Sequence, residues 1–275
     1  MANEDKLPIE VRVREWLATE GYPLELEVAR AFRKAGFRAH HAMMYDDEIT
    51  NKKREIDVVA TKHFGQDGRW IRVVVVIECK NNSEKPWVCF SDTELTLNEN
   101  QRIRQRLTGG FGRTLLDGVN ALTSLFNMGL FQIPTQCASS MTTAFANENK
   151  DYAFSSTASV IAASKAIAKR FHKSQIAAIV FPVIIVDGHL FQSHLSEAGE
   201  MELVQVDEAI LLWKNQTSGH PNTIINVINR RILEKFVSRC QETADALFGI
   251  DQAHLGRILG RPIGDIQADD PSIDF

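Results

Sequence analysis

Apolar and polar positions follow two rhythms along this chain. From Pro8 to Glu20 apolar residues (Val11, Trp16 and Leu17) predict a short amphipathic helix. In "GYPLELEVARAFRKAGF" the positions Leu24, Val28, Ala31, Phe32 and Ala35 recur at helical spacing. Pro23 suits a first helical turn, where its missing N–H costs nothing, and Gly36 suits a stop. The rhythm then becomes that of strands. "FRAHHAMMY" (Phe37 to Tyr45) predicts one strand and "REIDVVATKHF" a second, with Ile56, Val58 and Ala60 on one face and Asp57 and Val59 on the other. After the turn chemistry of "GQDG", "RWIRVVVVIECK" predicts a third strand, whose β-branched run suits burial on both faces.

Beyond Ser91 the pattern is looser. "TELTLNENQRIRQRL" and "RTLLDGVNALTSLFNMGLF" read as helices separated by a flexible "TGGFG" break. That break lacks the Gly-Lys-Ser/Thr ending of a phosphate-binding P-loop. "SSTASVIAASKAIAKRF" reads as a helix with a serine-rich start and a basic end. "AAIVFPVIIVDGHLFQSHL" reads as two strands joined at Asp187-Gly188, and "MELVQVDEAILLW" continues the sheet. "PNTIINVINRRILEKFVSRCQETADALF" reads as one long helix with a stripe of Ile224, Ile228, Ile232 and Phe236. The expectation is an α/β domain over residues 1–248, with a helical insertion at about 91–150 and a loosely ordered tail over 249–275.

Composition narrows the functional classes. The 275 residues are 44% hydrophobic and 24% charged, with a net charge of -4, so bulk charge does not advertise a nucleic-acid binder. Any anionic partner must be met by a local patch or through a metal ion. Cys79, Cys89, Cys137 and Cys240 form no CxxC and no zinc-finger spacing, and read as free thiols of a reducing compartment. "MANEDKLPIE" lacks the apolar core of a signal peptide, and no apolar run reaches bilayer-spanning length. A cytoplasmic protein without a membrane partner is expected.

The chemistry lies where the third strand ends. Glu78 and Lys80 share one strand face while Cys79 points to the other. If the second and third strands pair as a hairpin, Asp57 comes close to Glu78. Two neighbouring carboxylates repel unless a cation lies between them, and few hard oxygen ligands with waters suit Mg²⁺ or Mn²⁺. Lys80 could position a water or stabilise developing negative charge, as phosphodiester hydrolysis requires. Glu25 or Glu27 on the preceding helix could reach over the sheet, and spacing to Gly36 favours Glu25. Glu55 reads as solvent-facing.

A helical glutamate, an aspartate after a hairpin strand and Glu-x-Lys ending the next strand resemble the PD-(D/E)xK nuclease superfamily. The resemblance is to the flavour shared by Mrr-type restriction endonucleases and Holliday-junction resolvases. "ELEVARAFRKAGF" matches with Glu25 in the glutamate position, "REID" with Asp57, and "IECK" with Glu78 and Lys80. The position before Asp57 is Ile56 and not proline, as in many members of this diverse superfamily. The match covers roughly the first third of the chain and is a motif-level likeness. It implies a restriction-endonuclease-like central mixed β-sheet flanked by helices. It implies Mg²⁺, replaceable by Mn²⁺, on Asp57, Glu78 and the Cys79 carbonyl with Glu25 nearby, Lys80 assisting the water, and cleavage of nucleic acid, DNA before RNA. A role in defence against foreign DNA or in repair follows from the same likeness.

Basic segments offer phosphate contacts: Lys52, Lys53 and Arg54 before the aspartate strand, and Arg102 and Arg106 one helical turn apart. Each reads more naturally as a solvated face. Trp87 reads as packing. With no DNA-reading module in the pattern, target choice is expected from a homodimer, a partner protein or DNA structure.

Overall fold

The computed structural model describes residues 7–260 apart from 20, 49, 67–68, 120–124, 126, 135, 147–150, 215–221 and 251. Two helices open the chain, α1 (Ile9–Thr19) and α2 (Tyr22–Lys34). Leu24, Val28, Ala29, Ala31 and Phe32 form the buried face of α2, whereas Ile9, Val13 and Trp16 of α1 stay exposed. Gly36 takes φ +78, the left-handed conformation that ends a helix cheaply in glycine. Three antiparallel strands follow: β1 (Arg38–Asp47), β2 (Lys52–Gln66) and β3 (Arg69–Thr96).

The remaining elements are α3 (Glu99–Arg104), β4 (Leu107–Gly110), α4 (Gly112–Val119), β5 (Gln136–Thr143), α5 (Tyr152–Arg170), β6 (Ile176–Leu195), β7 (Met201–Gln205), β8 (Glu208–Trp213), β9 (Thr223–Asn229), α6 (Leu233–Phe248) and α7 (Gln252–Leu259). The result is an α/β protein with a large mixed sheet flanked by helices. β3 and β6 run parallel through its middle, in register from Trp70↔Ile176 to Phe90↔Ser193 with one irregularity between Asn82 and Trp87. The pairings β3–β5, β5–β8, β8–β9, β9–β6 and β6–β3 close a circuit at the far end of these strands.

Side chains alternate across the sheet and so feed two cores. Val73, Val75, Ile77 and Cys79 pack with α2, α4 and α6. Val74, Val76 and Trp87 pack with α5. A third cluster (Leu97, Ile133, Cys137, Ile210, Leu212 and Ile224) fills the closed end. Among the described residues no helix is long and apolar enough to cross a membrane.

Several elements differ from the sequence pattern. The region 91–150 is not a helical insertion. β3 runs on through "TELT" to Thr96, and β4 and β5 join the sheet between short helices; part of the second expected helix, residues 120–124 and 126, lies outside the described residues. "TGGFG" is not a flexible break either: it forms the end of β4 and the start of α4. A Cβ on Gly109 would stand 2.3 Å from the Ala168 carbonyl oxygen, so glycine lets β4 pass under α5. Asp187-Gly188 makes no hairpin, because β6 is continuous there and pairs with Asn81 and Asn82. Neither residue takes the positive φ that a tight hairpin turn needs.

"MELVQVDEAILLW" divides into two strands, β7 and β8. The expected long helix begins only at Leu233. Its first part is β9, where Ile224, Ile225, Val227 and Ile228 are buried on both faces of the sheet. Consecutive β-branched residues suit that setting better than a helix. The tail holds α7, whose Ile258 packs on Gly118, while residues 261–275 lie outside the described residues.

Gly110 has φ +53, and a Cβ there would meet the Ile176 carbonyl oxygen at 2.1 Å. Gly110→Ala is expected to lower unfolding free energy by roughly 2–4 kcal/mol, from left-handed strain plus overpacking. Urea denaturation against wild type checks this; a change under ~0.5 kcal/mol would show that β4 tolerates the side chain.

Candidate active site

The β2–β3 hairpin makes the site. Its register runs from Gln66↔Arg69 to Val58↔Ile77 and stops there, which sets Asp57 beside Glu78. The β1 ladder also skips Asp57, passing from Met43↔Ile56 to His41↔Val58, with the intervening Ala42 at φ +57. Side-chain alternation breaks at this point. Ile56 packs in the α5-side core with Val59, whereas Val58 and Ala60 join the opposite core, so the expected common face of Ile56, Val58 and Ala60 does not form. Where the ladder ends, the Asp57 carboxylate replaces a strand partner, and the Cys79 amide donates to its Oδ2 at 2.6 Å.

Three oxygen-bearing groups then surround one cation. Lys80 Nζ lies 2.7 Å from Glu78 Oε1, 3.0 Å from the Cys79 carbonyl oxygen, to which it donates, and 3.7 Å from Asp57 Oδ2. The second oxygen of Glu78, Oε2, accepts from Ser159 Oγ of α5 at 3.1 Å. Glu78 is buried, and burial raises its pKa, a shift that Lys80 opposes and Asp57 reinforces. For Lys80 burial works against the charge, but Glu78 and Asp57 outweigh it and raise its pKa. Burial also drives the Cys79 thiol well upward, so its sulfur is no nucleophile and only its backbone belongs to the site.

Glu25 reaches this edge from α2, on the opposite side of the sheet from α5. Its pKa is raised to about 7, first by partial burial, then by Asp57 and Glu55, with Lys80 opposing and Glu78 adding. Glu27 points elsewhere, forming an ion pair with Arg230, which also binds Asp187. Glu55 is exposed.

The expected metal ligands assemble only in part. Asp57, Glu78 and the Cys79 carbonyl converge, but among the described residues no group of three or more His, Cys, Asp or Glu side chains is arranged to hold a metal ion, so Glu25 does not complete a three-carboxylate cluster. Two carboxylates and one carbonyl are nonetheless hard donors in small number. That donor chemistry fits Mg²⁺ or Mn²⁺ with waters filling the shell.

The basic candidates separate. Lys52, Lys53 and Arg54 are exposed at the start of β2, with Arg54 paired to Asp47 at 2.8 Å. Arg102 directs Nε to the Leu97 carbonyl. Arg106 is buried, donating to the Arg102 and Leu130 carbonyls and lying over the Phe131 and Phe181 rings. Burial, with Arg239 adding, lowers its pKa to about 9. It is a core residue, unavailable to a phosphate backbone. Trp87 is likewise fully buried.

Ser159 escaped the sequence reading, because a serine on a helix carries no mark of the strand it will face. Tyr45 of β1 adds a longer contact to the Ser159 carbonyl oxygen at 3.5 Å. No family model, curated protein or solved structure matches the chain.

The raised pKa of Glu25 has a signed consequence. Below the ordinary value of 4.5 the carboxyl is protonated in folded and unfolded chains alike, so it carries no penalty. As pH rises toward about 7 the folded state must ionise an unfavourably placed group, and stability is lost. Glu25→Gln is therefore expected to match wild type below pH 4.5 and to melt above it increasingly as pH rises to about 7. Parallel thermal melts across that range check this; a constant offset would place Glu25 outside the charged cluster.

Proposed function

We propose that this chain is a metal-dependent endonuclease of the PD-(D/E)xK type, built on a restriction-endonuclease-like sheet and acting on nucleic-acid phosphodiester bonds, DNA before RNA. The observation that carries the reading is the convergence of Asp57, Glu78 and the Cys79 carbonyl on the Lys80 ammonium where β2 leaves the buried part of β3. Setting a part-buried carboxylate, Asp57, beside a buried one, Glu78, is unfavourable unless a cation is held between them.

Asp57, Glu78 and the Cys79 carbonyl would hold Mg²⁺, which supplies charge neutralisation at the phosphate and a more acidic water. The chain's own residues do the rest. Lys80 orients the attacking water and balances the charge growing on the phosphoryl oxygens. Glu25, titrating near neutrality, is suited to take a proton from that water. Water adds hydroxyl to phosphorus, the bond from phosphorus to the leaving sugar oxygen breaks, and that oxygen gains a proton.

Exposed Lys52 and Lys53 lie a few residues upstream of Asp57 on β2 and would meet backbone phosphates without reading sequence. Target choice falls to a second copy, a partner protein or DNA structure, in a setting of defence against foreign DNA or repair. A second reading, a non-catalytic nucleic-acid-binding or assembly module on the same fold, draws on one observation: Lys80 already neutralises the two carboxylates.

The experiment that separates them is cleavage of supercoiled plasmid, single-stranded DNA and structured RNA with Mg²⁺, Mn²⁺ or EDTA. Wild type is expected to cut only with metal, and Lys80→Ala to be slower by about a hundredfold or more. Absence of cleavage by folded wild type, together with no metal-dependent thermal shift, would favour the binding module.

A further inference from the structure

The two oxygens of Glu78 have different partners, and the difference points to a function for α5. Oε1 faces the convergence point with Asp57 Oδ2 and the Cys79 carbonyl, whereas Oε2 is held from outside by the Ser159 hydroxyl at 3.1 Å. A carboxylate on a flexible side chain can turn about its last bond and exchange its oxygens. Held on one oxygen, it presents the other in a constant direction.

We propose that Ser159 is a positioning residue that fixes the Glu78 carboxylate for cation binding, so that α5, and not the β2–β3 hairpin alone, sets the affinity of the site. The proposal rests on the metal-dependent reading above and assigns it a determinant outside the motif.

The surroundings support this assignment. Asp57 is also held by a donor of the fold, the Cys79 amide, but on Oδ2, the oxygen that faces Lys80, so only Glu78 is held on its outward oxygen. α5 is itself anchored. Its N-cap Asp151 accepts from the Ala153 and Phe154 amides and from the Thr142 and Thr143 hydroxyls of β5. Its buried face, including Ala153, Val160, Ala163 and Ile167, packs on the sheet. Ser159 is therefore delivered by a rigid helix to a buried acceptor. Hydrogen-bond partners of metal-ligating carboxylates commonly govern metal affinity to this degree.

The test is Mn²⁺ binding by isothermal titration calorimetry, without nucleic acid, for wild type, Ser159→Ala, Ser159→Thr and Glu78→Gln. Ser159→Ala is expected to weaken Mn²⁺ about tenfold. Ser159→Thr, which keeps the hydroxyl, is expected to restore it, and Glu78→Gln to abolish it. Nuclease activity of Ser159→Ala is expected to return toward wild type at saturating metal, a KM-like effect that loss of packing would not give. If Ser159→Ala stays folded and binds Mn²⁺ within about twofold of wild type while Glu78→Gln does not bind, the positioning role is overturned and the metal site stands. If wild type binds no Mn²⁺ at all, both are overturned.

Discussion

Two long strands lying parallel through the middle of the sheet are the constraint on which the rest depends. β3 contributes 28 residues and β6 contributes 20. Parallel strands need a long crossover, and here that crossover holds β4, β5 and the helices α3 to α5. Because the shared stretch is buried on both faces, it demands helices on each side. α2, α4 and α6 meet Val73, Val75 and Ile77, and α5 meets Val74 and Val76. The same pairing gives the closed end its circuit of strands, since β5 and β9 attach to opposite edges of this central pair.

The candidate site lies where this arrangement changes. β2 leaves the ladder at Val58↔Ile77, while β3 continues alongside β6 for many residues more. The Cys79 amide, left without a partner on β2, meets the Asp57 carboxylate, whose residue has no ladder position. Glu78 comes from the face covered by α5 and Glu25 from the face covered by α2, so the charges gather at an edge reached from both cores. Burial makes this costly for each group alone, and the Lys80 ammonium offsets much of the cost by touching all three neighbours. The proposed cation-binding role for this point draws on the same electrostatics.

Much of the site was legible along the chain because its residues lie on neighbouring elements with short connections. Period-two alternation across "VVVVIECK" was enough to place Glu78 and Lys80 together, and turn chemistry after "ATKHF" implied the hairpin that brings Asp57 beside them. Helical spacing set α2 and its glutamates, although only the ion pair of Glu27 with Arg230, from the distant end of β9, separates the two roles in space. Ser159 could not be found this way: its partner lies 81 residues earlier in the chain. Arg106 is hidden from the sequence for a related reason, since a charged residue in a polar-looking stretch gives no warning that two distant phenylalanine rings and the Leu130 carbonyl will enclose it.

Taken alone, the sequence determined the local elements whose apolar rhythm is unambiguous: α2, the β1–β2–β3 meander, α5 and the second half of the last long helix, together with the order of the charged residues. Those signals depend on neighbours within a few positions, where geometry is dictated by the backbone itself. Only the tertiary structure decided that "TIINVIN" is a buried strand, that Asp187-Gly188 runs straight through the sheet and that "TGGFG" slips beneath a helix. In each case the deciding energy comes from partners far along the chain, a parallel neighbour or a close backbone approach, and such contacts outweigh the intrinsic preference of a short segment.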